Sequence, residues 1–285
     1  MKASSKANVW LFFAVIYGVS ALLLAPILLS GKGMYSAVNK ALLAVVALVP
    51  SAVGILFVHL TRGRLERRDF WRRVFRWPSG KTTVALAGML ILPVNVFISF
   101  GLASYLHGEP VNLSYATRIL TDWRTLLVFL FVELTFGAIS EELGWRGYAL
   151  DELQSSWSAL KSSLVLGLVW AFWHTPVFLI PGTSQYAMGG LCSWSYILFI
   201  MSVTLGSVIH TWAYNNTGRS ILVGGVLMHF TQNAATIFLG GIFDKFTFPP
   251  AYWPIQLTIT AIVAGTLILV YGPWTLRGRK GAIFN

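Results

Sequence analysis

Four ionisable side chains crowd into one apolar stretch, Leu127–Leu150 (LVFLFVELTFGAISEELGWRGYAL): Glu133, Glu141, Glu142 and Arg146. The stretch is long enough to cross a bilayer, for which ~20 residues rising ~1.5 Å each suffice. A charge near the bilayer centre costs about 2.5–3.5 kcal/mol even on lenient insertion scales, and residues kept there at that cost mark sites facing the bundle interior. Within E-E-x-x-x-R, Glu142 and Arg146 lie one helical turn apart and suit an ion pair that makes their burial tolerable. Glu141 points about 100° away with no local cation, which makes it the catalytic candidate. Glu133, two turns earlier, reads as a packed or protonated carboxyl, and Tyr148 as either core packing or a hydrogen-bond donor to Glu141.

Two later stretches supply partners. The run WAFWHTP places His174 above an aromatic turn that begins at Trp170, with Pro176 bending the helix just beyond. The run HFTQN puts His229 and Asn233 one turn apart on one face. A lone histidine in a helix is usually a satisfied core residue, so depth decides. Counted from the cytoplasmic ends of their spans, Glu141, His174 and His229 all fall roughly 13–18 Å deep at 1.5 Å per residue. One shared, water-filled cavity explains that agreement. His59, His107 and His210 read as histidines at span ends.

Those side chains need a membrane scaffold. The chain is 56% hydrophobic and 11% charged, against about 25% charged in soluble domains, and it reads as an all-α integral membrane protein. Eight spans are expected, roughly Val9–Leu29, Ala41–Leu60, Thr83–Tyr105, Leu126–Leu150, Ser162–Ile180, Trp194–Tyr214, Ile221–Leu239 and Trp253–Tyr271. The first is a retained anchor, being too long for a signal-peptide core and lacking a cleavage site. With both termini cytoplasmic, 15 of the 21 basic residues fall on inside segments and five outside, as the positive-inside rule requires. Residues 1–285 thus form a single polytopic domain, with the polar core at 126–239.

The net charge of +11 is placed to set topology and not to bind nucleic acid. Much of it sits in Arg62–Trp77 (RGRLERRDFWRRVFRW), where Phe70, Trp71, Val74 and Phe75 form one apolar stripe. A basic amphipathic helix over 62–77, lying at the interface with arginines reaching for anionic lipid head groups, is the expectation. The single cysteine, Cys192, excludes an internal disulfide or a cysteine-cluster metal site.

Taken together, E-E-x-x-x-R, an aromatic-x-x-x-His on the next helix and His-x-x-x-Asn two helices later resemble the CPBP (ABI) family of intramembrane proteases, which includes the type II CAAX prenyl endopeptidases. The family's second motif usually begins with Phe where Trp170 stands here. The resemblance implies an intramembrane endopeptidase without a cofactor. Glu141 would activate water with help from His174, His229 and Asn233 would stabilise the oxyanion, and Glu142 with Arg146 would fix the surrounding field. A zinc-dependent version, with Glu141, His174 and His229 as ligands, competes within the same class. A non-catalytic immunity or scaffold protein is the alternative from another class, and a proton-coupled transporter a distant third. A cavity open to the cytoplasm or laterally to lipid, a prokaryotic plasma-membrane location, and a peptide or membrane-protein substrate complete the expectation.

Overall fold

The computed structural model describes residues 4–241 and 247–278; Lys2, Lys245, Arg279 and Lys280, which entered the charge count, lie outside the described residues, as do both chain ends. Among the described residues every regular element is helical. In chain order these are α1 (Ser4–Ser30), α2 (Ala37–Thr61), α3 (Arg64–Phe75), α4 (Thr82–His107) and the short α5 (Ser114–Thr121). The polar segment follows as α6 (Trp123–Val132), a π turn over Glu133–Ile139, α7 (Ser140–Gly144), a second π turn over Trp145–Ala149, and α8 (Leu150–Gln154). Next come α9 (Ala159–Trp173), a 3-10 turn over Thr175–Leu179, α10 (Ser184–Ala187), α11 (Trp194–Asn216), a π turn over Leu222–Leu227, α12 (Met228–Gly240) and α13 (Tyr252–Tyr271).

Seven of these segments are long and apolar enough to cross a membrane: Asn8–Ser30, Ala37–Thr61, Thr82–His107, Ala159–Leu179, Trp194–Asn216, Leu222–Gly240 and Tyr252–Tyr271. The eighth expected span, Leu126–Leu150, does not join them. It is helical throughout, but two π turns divide it and it carries Glu133, Glu141, Glu142 and Arg146. A π turn inserts one residue into the α ladder and re-aims every side chain beyond it, and such turns gather at functional sites. The segment's chemistry, and not its apolarity, sets its form.

The segment is held against α2 by contact without side chains. A Cβ on Gly144 would come within 2.2 Å of the Pro50 carbonyl oxygen, and one on Gly54 within 2.7 Å of the Gly144 Cα. Small residues permit this backbone approach between membrane helices. At the same crossing the Ser51 hydroxyl donates to the Ile139 carbonyl (2.7 Å) and accepts from the Leu143 amide (3.1 Å). It stands between two groups that would bond each other in an uninterrupted α-helix. Gly144→Ala is therefore expected to cost at least the ~1–3 kcal/mol typical of overpacking, read as a lowered thermal unfolding midpoint in detergent. Gly101→Ala, whose new Cβ meets nothing within 4 Å, should be neutral; equal midpoints for the two proteins would refute so close a crossing.

Helix α3 falls inside the basic stretch expected to be amphipathic. Phe70 and Val74 are buried while Phe75 is exposed. Its arginines divide into two groups. Arg64, Arg68 and Arg72 are exposed, but Arg73 is buried and pairs with Asp69 (2.9 Å) and with Asp151 beyond the end of the polar segment (3.1 Å). Asp151 also accepts from Tyr214 (2.8 Å) and pairs with Arg219, while Arg62 pairs with Glu152 and Glu66. Part of the charge assigned to lipid thus ties α3 to the bundle. Burial works against the Asp69 charge, but the hydrogen bond from Arg72 and the fields of Arg73, Arg72 and Arg219 hold its carboxyl below the usual value. A depressed folded-state pKa contributes stability that is present above the unfolded value of ~3.9 and lost as pH falls through the lower folded value. Docking of α3, read as protection of its exposed arginines from trypsin-like cleavage after pH pulses, is expected to survive at pH ~5 and to fail only below ~4. Release near neutrality would contradict the network.

Candidate active site

Glu141 is 6% exposed, and the two oxygens of its carboxylate face different surroundings. Oε2 accepts the indole N–H of Trp145 (3.2 Å), one turn along the same segment, and that of Trp170 on α9. Oε1 lies 3.9 Å from Nε2 of His174, too far for a direct hydrogen bond and a separation at which one water can bridge. The His174 Nδ1 is 2.9 Å from the Trp170 carbonyl oxygen; a carbonyl only accepts, so Nδ1 carries the proton and Nε2 turns its lone pair towards Glu141 when the ring is neutral. His174 sits at the C-terminus of α9, where Pro176 converts the chain to a 3-10 turn.

Behind Glu141 lies a second, fully buried set. Glu142 and Arg146 have no solvent exposure and pair at 2.7 Å. The same Glu142 oxygen lies 2.9 Å from His229 Nδ1. The Arg146 guanidinium stands 4.4 Å from the Trp170 ring centre, and the His229 ring packs edge-on against the same indole at 5.3 Å. Trp170 therefore touches four of these groups: it donates to Glu141, offers its carbonyl to His174, and packs against Arg146 and His229. Asn233, one turn beyond His229, lines the same cavity as Glu133.

Glu133, Glu141, His174, His229 and Asn233 all line one cavity of about 430 Å³ whose other walls are largely apolar, among them Phe136, Phe199, Val203 and Ile237. Among the described residues, no set of three or more His, Cys, Asp or Glu side chains converges as metal ligands would. His229 Nδ1 is engaged by Glu142 and His174 Nδ1 by a carbonyl.

The type II CAAX prenyl endopeptidase Rce1-like family matches residues 123–235, the interval that holds all of these groups. That interval is similar to the Rce1-like family. A relative from Methanococcus maripaludis, named CAAX prenyl protease 2, is 26% identical over 236 residues, covering 82% of this chain and 85% of its own. The similarity to it extends well beyond the core. The seven apolar helices suggest a multi-pass membrane protein, and the match is to a family of membrane proteases.

Within the matched interval the structure brings together the four side chains singled out in the sequence as catalytic, Glu141, His174, His229 and Asn233, and seats the Glu142–Arg146 pair directly behind them. Three further contributions lay outside the sequence reading. Trp145 and Trp170 hold Oε2 of Glu141, for which the only signal was Trp145 at i+4 from the glutamate. Glu133 lines the same cavity as the catalytic candidates. His210, expected at an interface, is 1% exposed, bonds the Gly224 carbonyl through Nδ1 (3.0 Å) and packs edge-on against Trp170 at 6.1 Å. Tyr148 does not reach Glu141; it packs on Phe12 and Phe57, because the π turn over Trp145–Ala149 takes it off the face that a regular helix gives.

Proposed function

We propose that the chain is an intramembrane endopeptidase that hydrolyses a peptide bond with water activated by Glu141. The observation that carries this reading is the pairing of Glu141 Oε1 with His174 Nε2 across 3.9 Å at the wall of a cavity. Two indole donors occupy Oε2, which leaves Oε1 as the oxygen that takes the water's proton. His174 orients that water and passes the proton towards the leaving amine, as a positioned acid–base pair does. The family relationship supports the same class of reaction.

The tetrahedral intermediate needs donors aimed at its oxygen. An amide carries two N–H donors, and Asn233 lines the cavity, so its side chain is assigned to the oxyanion. His229 presents Nε2 once Nδ1 is engaged by Glu142. A donor at that atom requires either a doubly protonated ring or a shared proton resting on Glu142, and the buried Glu142–Arg146 pair stabilises the first arrangement by proximity of the carboxylate. Among the described residues, Nε2 of both histidines is free of a direct hydrogen bond while Nδ1 is engaged, an arrangement that also suits metal ligation, so the chelator arm of the test below decides between the two versions.

The substrate class is a peptide or membrane-protein segment, and the location a plasma membrane, in which the exposed arginines of α3 rest on anionic head groups. The test is mass-spectrometric identification of fragments from a peptide library incubated with purified protein, with and without a zinc chelator. Internal cleavage that survives chelation is the expected result. Cleavage abolished by chelation and restored by zinc would replace this mechanism with the metal-dependent one, and intact peptides throughout would favour a protein that binds without cutting.

A further inference from the structure

We propose, resting on the proteolytic reading above for the occupant of the cavity, that Ser202 and Gln256 hold the main chain of the bound peptide beside the catalytic groups. Ser202 donates its hydroxyl proton to a peptide carbonyl, and the Gln256 amide oxygen accepts a peptide N–H. Neither residue belongs to the catalytic set, and Gln256 lies beyond the interval 123–235 matched to the family.

Both side chains are buried polar groups whose hydrogen-bonding capacity is unmet inside the protein. Ser202 is 5% exposed and Gln256 4%, and among the described residues neither the Ser202 hydroxyl nor the Gln256 Oε1 has a hydrogen-bond partner. Among the described residues they are also the two such groups that line the cavity holding Glu141 and His174. A helical serine or threonine often turns its hydroxyl back onto the carbonyl four residues earlier. Thr204 on α11 does so onto Ile200 (2.7 Å); Ser202, two residues before it, does not. The main chain at Gln256 is tied to α4: Asn95 Nδ2 donates to the Gln256 carbonyl (3.2 Å) and to the Thr260 hydroxyl (2.8 Å), and Ser99 donates to the Asn95 side-chain oxygen (3.0 Å). The turn is thus fixed while its amide is left to the cavity. An unpaired buried acceptor is costly, and an aliphatic side chain would close an apolar wall without that cost. These two groups suit a polar occupant.

The two groups also share a level. Helices α11 and α13 run in the same direction, touching through Phe199 and Trp253 near their starts (ring centres 6.2 Å apart) and through Trp212 and Tyr271 near their ends (5.7 Å). Ser202 and Gln256 each lie three residues past the first contact, about 4.5 Å further along their helices. Phe199 packs edge-on against the His174 ring at 5.7 Å, which sets this wall beside the group that passes a proton to the leaving amine. An extended peptide lying against Phe199, Val203 and Trp253 brings its main chain past apolar surface, and each N–H or C=O that loses water there needs a partner. A hydroxyl can donate, and a side-chain carbonyl only accepts. Ser202 and Gln256 therefore supply one of each, the complement of a peptide's C=O and N–H. Such a pair reads the main chain and not the side chain, so the peptide residue whose N–H meets Gln256 varies freely in sequence but is never proline, which has no N–H.

The test reads binding without cleavage. A fluorescein-labelled peptide of alanine, leucine, phenylalanine, valine and isoleucine, in that order between lysines, would be titrated with the full-length Glu141→Gln protein in detergent and followed by anisotropy. The same peptide would be made with single backbone esters, each of which replaces one N–H by oxygen and leaves the side chains alone. One ester position is expected to weaken binding about tenfold, as loss of one buried hydrogen bond does. Gln256→Met on the same background should weaken binding of the unmodified peptide by a like factor and make that ester harmless, because both changes remove the same bond. Ser202→Ala should weaken binding of both peptides and leave the ester's effect in place. The ester cannot harm the fold, and a thermal midpoint checks each variant. Absence of saturable binding, absence of any ester-sensitive position, or an ester penalty undiminished by Gln256→Met overturns the proposal. A protein that binds through this pair yet cuts nothing would remove only the proteolytic reading, and one that cuts peptides regardless of both residues would remove only the pair.

Discussion

Glu141→Gln is expected to leave the fold intact and to abolish measurable peptide hydrolysis. The substitution keeps the volume of the side chain, and the amide oxygen can occupy the position of Oε2, where it still accepts from Trp145 and Trp170. The amide nitrogen then falls at the position of Oε1, opposite His174, and cannot take a proton. What is lost is the base alone, whose typical contribution is ~10²–10⁴ in rate. The measurement is kcat for a cleaved peptide in detergent beside the thermal midpoint of the same preparation. A rate within a few-fold of the parent protein would remove Glu141 from the mechanism, and a fallen midpoint would mean that the change had damaged packing instead.

Arg146→Met should do the opposite, damaging the fold first. Arg146 and Glu142 have no exposure, and removing one member of such a pair leaves an uncompensated buried charge, at a cost of ~3–5 kcal/mol. Methionine fills much of the space over the Trp170 ring, so the expected loss is electrostatic and not a cavity. The double variant Glu142→Gln with Arg146→Met removes both charges and is expected to recover most of the thermal midpoint, since a buried ion pair can often be replaced by neutral groups at little net cost. It should not recover activity, because His229 would then face an amide where a carboxylate had stood 2.9 Å from Nδ1. Recovery of both would assign the pair a purely structural role; recovery of neither would show that the polar set holds its shape only as a whole.

Local spacing carried a good deal of this site. Glu142 and Arg146 pair because i,i+4 residues on a helix meet, and they still meet although Arg146 lies in the second π turn. His229 and Asn233 share a face of α12 for the same reason. What spacing could not show was set by other parts of the chain. The π turns around Glu141 follow from Ser51 and the Gly54–Gly144 crossing, 88 and 90 residues apart in sequence, and they carry Tyr148 away from the glutamate that a regular helix would have put within its reach. His210 became a buried neighbour of Trp170 because a Gly224 carbonyl is brought to it, and a Cβ on Gly224 would come within 2.5 Å of the Tyr214 Cα. Arginines of α3 read as lipid-facing from an amphipathic pattern, yet Arg73 found Asp151 on a distant helix, which no periodicity within α3 encodes. The eighth span failed the test of apolarity for the very charges that first drew attention to it.

Ser51 has a mechanical consequence. Its hydroxyl is the link through which the backbone turn bearing Glu141 is latched to α2, and the opposite side of α2 presents Val38, Val45, Leu48, Leu56 and Leu60 outwards. A helix with one edge in lipid tilts when the hydrocarbon layer is thinner or thicker than its apolar length. Here such a tilt cannot occur without pulling on the turn that aims the glutamate, because the glycine crossing leaves no slack between the two backbones. On the proteolytic reading proposed above, acyl-chain length is therefore expected to change the rate of cleavage.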